Sequence, residues 1–196
     1  MIPELGHFAL ILALCMVVIQ TVVPFWGSHR GNAAWMAVAT PAAFGQTLFH
    51  LISFAALTYA FIMKDFSVLY VATNSNAELP LMYRISAVWG AHEGSLLLWS
   101  TVLSLWSVAV ALCSRSLPRP FQARVMSVMG FISIGFLLFM LLTSNPFERL
   151  IPAAPRGQDL NPLLQDIGLI IHPPMLYMGY VGMSVPFAFA IAALLD

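Results

Sequence analysis

Charge is what this chain has least of. Only 8% of its 196 residues are Asp, Glu, Lys or Arg, the two signs cancel, and mean hydropathy is +0.88. A soluble domain carries roughly a quarter charged residues, so a water-exposed globule is excluded and a polytopic membrane protein is left. No basic run and no aromatic–basic interleaving occurs, which argues against nucleic acid. No Gly-rich phosphate loop or Walker motif occurs, which argues against nucleotides. Cysteine is nearly absent. Cys15 and Cys113 form neither C-x-x-C nor C-x-x-C-H, so thiol–disulfide exchange and c-type haem attachment to this chain are not expected. Both read as buried core residues. A positive n-region is also missing, with Glu4 in its place, so the first apolar stretch reads as a span and not as a signal peptide. The inverted repeats of secondary transporters are not evident.

What the chain does have is long apolar runs. About 20 such residues cross a bilayer as a helix. Five spans are expected, at 5–26, 44–63, 95–113, 125–143 and 174–195, with Pro186 kinking the last. The fold class is therefore all-α and polytopic. Loops 27–43 and 114–124 hold Arg30, Arg115, Arg119 and Arg124 and no acidic residue. Loops 64–94 and 144–173 are about twice as long together and hold Lys64, Arg84, Arg149 and Arg156 with six acidic residues. The basic density places the N-terminus outside, and His92 and His172 with it.

Segment 81–93 is too polar to span, because Arg84, His92 and Glu93 are costly in lipid. Leu81, Met82, Ile85, Val88, Trp89 and His92 nevertheless fall within about 120° of a helical wheel. That predicts an interfacial helix in this outer segment, running into the third span, with Trp89 and Trp99 at headgroup level. In the preceding stretch Val68–Val71 is β-prone and 73–76 is a turn cluster.

The chemistry concentrates at Ile171-His172-Pro173-Pro174-Met175-Leu176-Tyr177. Pro173 disfavours helical geometry at His172, and prolines suit a first helical turn. His172 is thus expected just outside a helix mouth, at the membrane–water boundary, with its imidazole free. Haem needs an imidazole, an apolar wall, and cations or a helix N-terminus near its carboxylates. His172 offers the first, Met175, Leu176, Tyr177 and Tyr180 the second, and Arg149, Arg156 and the helix end the third. His92 is a weaker candidate: it has no second ligand at i+3 or i+4 and also reads as an interface anchor. His50, within the second span, is a functional suspect by location or a hydrogen-bond partner of Gln46. His7 and His29 read as solvated. The Asn-Pro steps at 145–146 and 161–162 read as ordered turns in a long outer loop.

Several stretches together carry a resemblance: Gly31-Asn32-Ala33-Ala34-Trp35, 65–72, Trp89-Gly90-Ala91-His92-Glu93-Gly94-Ser95 with its flanks, Thr143-Ser144-Asn145-Pro146-Phe147, 159–165 and His172-Pro173-Pro174. In that order they resemble the N-terminal part of the CcmF proteins of the haem-handling superfamily, with NrfE a close relative. The resemblance implies a bacterial inner (cytoplasmic) membrane protein with periplasmic outer loops and N-terminus. It implies a role in attaching haem to apocytochrome c as part of a haem lyase, with haem delivered by the chaperone CcmE and with CcmH and CcmI as partners. It assigns one axial haem ligand to His172. Family members are several times longer and carry a tryptophan-rich haem domain that residues 1–196 lack. This stretch is therefore expected to be an N-terminal transmembrane module, inactive as a lyase without the C-terminal remainder, whether as a fragment, a truncated gene product or one part of a split protein. The alternative is a non-catalytic membrane scaffold that docks partner subunits.

Overall fold

The computed structural model describes residues 1–195, and every regular element among them is helical, with no strand. Five segments are long and apolar enough to cross a membrane: Ile2–Arg30, Ala33–Ile62, His92–Cys113, Arg119–Leu142 and Ile167–Leu194. This is a multi-pass all-α membrane protein.

The first helix, α1 (Ile2–Arg30), passes straight through Pro24, beyond the expected end at Trp26. It stops at Gly31, whose φ of 64° is the left-handed conformation that ends helices and that side chains resist. Asn32 then caps a short helix, α2 (Ala33–Ala37), accepting from the N–H groups of Ala34 and Trp35 at 3.0 and 3.2 Å. The Gly-Asn-Ala-Ala-Trp motif is thus a helix stop followed by a helix start. The second span continues as α3 (Ala39–Ile62).

The segment between the second and third spans holds two short helices, α4 (Leu69–Asn74) and α5 (Leu81–Ala87). The β-prone run is therefore helical from Leu69 onward; only Val68 keeps a β-bridge, to Arg149, and a second isolated bridge joins Asn76 to Gly157. Bonds such as Leu69 N–H to Glu148 O (2.8 Å) and Gln158 N–H to Ala72 O (2.7 Å) zip this segment to the loop between the fourth and fifth spans. The interfacial helix is shorter than expected: it ends at Ala87, and a non-helical break precedes the third span, α6 (His92–Cys113). Leu81 and Met82 are exposed while Ser86, Ala87 and Val88 are buried, so the predicted stripe does not face the bundle along its whole length.

The fourth span is α7 (Arg119–Leu142), and the fifth divides into α8 (Ile167–Gly182) and α9 (Ser184–Leu194). The division falls at Met183, three residues before Pro186, which cannot bond the Gly182 carbonyl and crowds it.

Two apolar clusters stack along the bundle, one toward the end that carries the two long loops, around Leu10, Leu57, Phe61, Leu97, Leu137 and Phe147, the other toward the opposite end, around Leu103, Met126, Met129 and Val181. A buried polar layer lies at the level between them. Gln46 Nε2 donates to Gln20 Oε1 (2.7 Å), and Gln20 Nε2 donates to Met126 O (3.0 Å). His50 bonds the Gln46 backbone carbonyl (2.9 Å) and Ser100 Oγ (2.9 Å). His50 is therefore Gln46's partner, but through the backbone. This layer fastens α1, α3, α6 and α7 to each other in an environment without competing water.

Cys15 and Cys113 are exposed on the bundle's outside and not buried. In a membrane the outside is apolar too, so an apolar residue carries no mark of which way it faces. Trp99 is half-buried and packs against Phe136, with 3.7 Å between ring centroids.

Candidate functional site

His172 lies inside a helix, not before one. The helix begins five residues earlier because Asp166 caps it, accepting from Gly168 and Leu169 N–H at 2.8 and 3.3 Å. This cap outweighs the pre-proline preference at His172, and Pro173 and Pro174 sit within the helix. It also fills the helix N-terminus with a protein carboxylate, so that end is not open to the carboxylates of a ligand.

The burial pattern of α8 follows the 3.6-residue period. Ile170, Pro173, Pro174, Tyr177 and Val181 form the side toward the bundle. His172, Met175, Leu176, Gly179, Tyr180 and Met183 form the opposite, exposed side, where Met175 is 67% and Tyr180 69% exposed. Tyr177 is thus a correction to the expected wall: five residues beyond His172, it faces away from it and packs with Trp106 and Val185 on the cluster around Met126 and Met129. Met175, Leu176 and Tyr180 do share a side with His172. The His172 imidazole is exposed and has no hydrogen-bond partner among the described residues.

Arg149 is engaged elsewhere. Its Nε donates to Glu4 Oε1 at 2.8 Å, and its Nη1 donates to Ser67 Oγ and reaches Asp65 Oδ2 at 3.5 Å. It ties the start of α1 to the two long loops of the chain and is not a free cation for a carboxylate. Arg156 is exposed, and its guanidinium has no partner among the described residues. His92 begins α6; its Nδ1 meets Ser144 Oγ at 2.9 Å and its ring stands edge-on to Phe139. His7 is half-buried and bonds Asn145 Oδ1 at 3.3 Å, so it is not simply solvated. No cluster of three or more His, Cys, Asp or Glu able to hold a metal occurs among the described residues.

The sequence reading missed Tyr70. It is buried, and its hydroxyl accepts from Ala91 N–H (3.2 Å) and donates to Val88 O (3.1 Å), fixing the break between α5 and α6. Burial pushes the phenol's pKa up from 10.0, and backbone bonds at Ala91 and Gly94 only partly offset this. A Cβ on Gly94 would collide with Val88 O and the Tyr70 ring, so the glycine permits this close approach. From the break, Trp89 Nε1 donates to Ile170 O at 3.0 Å. The Trp-Gly-Ala-His and His-Pro-Pro motifs therefore meet at one end of the bundle.

A family model described as cytochrome C assembly protein matches residues 89–196, from Trp89 through His172. The chain belongs to the cytochrome c assembly protein family. It is 63% identical over 196 residues to the cytochrome c-type biogenesis protein CcmF of Pseudomonas aeruginosa, covering 100% of this chain and 30% of that protein. It is 54% identical to CcmF of Escherichia coli, with the same two coverages, and 45% identical to NrfE of Haemophilus influenzae, covering 100% of this chain and 31% of that one. The solved structure of the cytochrome c heme lyase CcmF superposes with a TM-score of 0.87 at 29% identity, covering 100% of this chain and 31% of that one. The chain thus spans about 30% of the length of these cytochrome c assembly relatives.

Proposed function

We propose that these residues form the N-terminal membrane module of a CcmF-type haem lyase that serves cytochrome c maturation, with haem as substrate and His172 as one of its axial ligands. The observation that carries this reading is the exposed, unpartnered imidazole at the outer end of α8, flanked on the same side by Met175, Leu176 and Tyr180. An imidazole grips iron, and the thioether and aliphatic side chains offer the apolar plate a surface. Arg156 is the available cation for a haem carboxylate. Only one ligand comes from this module; the second, with the tryptophan-rich platform, belongs to the C-terminal remainder. His172 holds and orients; it is not a general base. Haem attachment adds each cytochrome thiol across a haem vinyl group, forming a C–S bond at one vinyl carbon while the thiol proton goes to the other. The protein lies in the bacterial inner membrane with the N-terminus and His172 periplasmic, receives haem from CcmE and works with CcmH, CcmI and apocytochrome c.

The test is His172→Ala in the full-length protein, read by haem spectrum after purification and by holocytochrome c yield. Loss of both is expected. Unchanged haem retention and maturation would overturn the assignment.

A further inference from the structure

In an α-helix, residue 174 would donate its N–H to the carbonyl of residue 170. Pro174 has no N–H, and its ring pushes that carbonyl aside. The Ile170 carbonyl is not left empty: it accepts from Trp89 Nε1 at 3.0 Å. Trp89 is itself held in the rigid break before α6. Ser95 Oγ donates to its carbonyl at 2.8 Å, and Tyr70 and Gly94 fix the backbone around it. Ile170 and Pro174 both lie on the bundle side of α8, and His172 stands between them in sequence, projecting from the opposite side.

We propose that Trp89 is a positioning residue for His172: its indole N–H makes the hydrogen bond that Pro174 cannot, and so fixes the height and rotation of the ligand-bearing turn 170–174. The consequence for haem rests on the reading of His172 as a ligand; the coupling of Trp89 to the proline turn does not. A loose turn would present the imidazole over a range of heights, and a ligand that must meet iron opposite a second ligand from elsewhere needs one.

The experiment is a double-mutant cycle in the full-length protein in detergent, with Trp89→Phe, Pro174→Ala and the pair. Phenylalanine keeps an aromatic ring but loses the donor. Alanine at 174 restores a backbone donor to the Ile170 carbonyl, which can accept two bonds. Two readouts are taken: amide exchange across 170–178, and the low-spin ferric spectrum after haemin addition. Trp89→Phe is expected to speed exchange about tenfold, the scale of one lost hydrogen bond to a buried group, and to weaken the low-spin signature. With alanine at 174, both effects should shrink to a third or less. Equal effects of Trp89→Phe in the two backgrounds, or no effect on exchange, would overturn the proposal. His172→Ala separates the two readings. If it abolishes the low-spin signature while Trp89→Phe leaves it intact, positioning fails and the ligand stands. If His172→Ala leaves the signature, the ligand reading fails, and with it any role of Trp89 toward haem, even where exchange shows the coupling.

Discussion

Tyr70→Phe tests how the outer end of the bundle is built. The phenol oxygen is the hinge pin of the α5–α6 break: it takes the Ala91 N–H at 3.2 Å and gives its proton to Val88 O at 3.1 Å, at a residue 3% exposed. Ala91 is also the residue before α6, which has no side-chain cap of its own. Phenylalanine keeps the ring and its edge-on contact with Phe61 (5.4 Å between centroids) but leaves a buried N–H without its acceptor. That costs about 1–3 kcal/mol. For a chain of this size 2 kcal/mol lowers Tm by about 4–8 °C. Thermal unfolding in detergent reads the loss, and amide exchange across 88–95 shows where it falls. The titration gives an independent check. The folded phenol binds its proton more tightly than the unfolded one, so its contribution to stability is whole below the ordinary value of 10.0 and is lost as pH rises beyond it. Tm of the parent should fall more steeply than that of the variant as pH rises above about 10. An unchanged Tm together with unchanged exchange across the break would refute the reasoning.

Asp166→Ala removes the cap of α8, at about 1 kcal/mol; amide exchange at 167–170 should quicken about fivefold, with Asp166→Asn closer to the parent, and no change would show that α8 starts there for another reason. Ser100→Ala deprives His50 Nε2 of its 2.9 Å partner in the polar layer. Such interhelical bonds contribute only about 0.6 kcal/mol and rarely more than about 1.7, so a Tm drop of a few degrees is expected, and a collapse of the fold would contradict a merely local role.

The existence of all five spans was legible because a run of apolar residues long enough to cross lipid has few alternatives. Their ends were not. The prolines at 173 and 174 mark a first helical turn by local rules, yet both lie inside a helix, and the first helix runs on to Arg30 past its expected end at Trp26. A proline removes one donor and disturbs one carbonyl, and a partner from another element can supply what is missing, as Trp89 does at Ile170. No local rule sees a donor 81 residues away. Sidedness was equally hidden. Cys15 and Cys113 face outward and Tyr177 inward because, with lipid outside and apolar core inside, hydropathy does not distinguish the two. Arg149 was read as a free cation because its partners, Glu4, Asp65 and Ser67, come from loops the sequence separates. The exposure of the His172 imidazole agrees with the expected free side chain, whereas its place inside α8 does not agree with the expected helix mouth.

The distribution of fastenings in the bundle bears on how this site works. The Gln20–Gln46–His50–Ser100 layer locks α1, α3, α6 and α7 together, whereas α8 carries no side chain into it. The fifth span is held instead by two indole hydrogen bonds to its carbonyls, Trp89 to Ile170 and Trp106 to Met178 (3.1 Å), and by apolar contact along one side. Its other side is bare from Ile171 to Met183. If His172 is a haem ligand as proposed, whatever completes the iron site has to approach from that bare side, because the bundle side is already filled by Tyr177 and Val181 and the helix mouth by Asp166. An element that docks there meets a surface whose orientation is set largely by Trp89 and Trp106. On this arrangement, loosening either indole should disturb the approach of the second ligand before it disturbs the fold of the four locked helices.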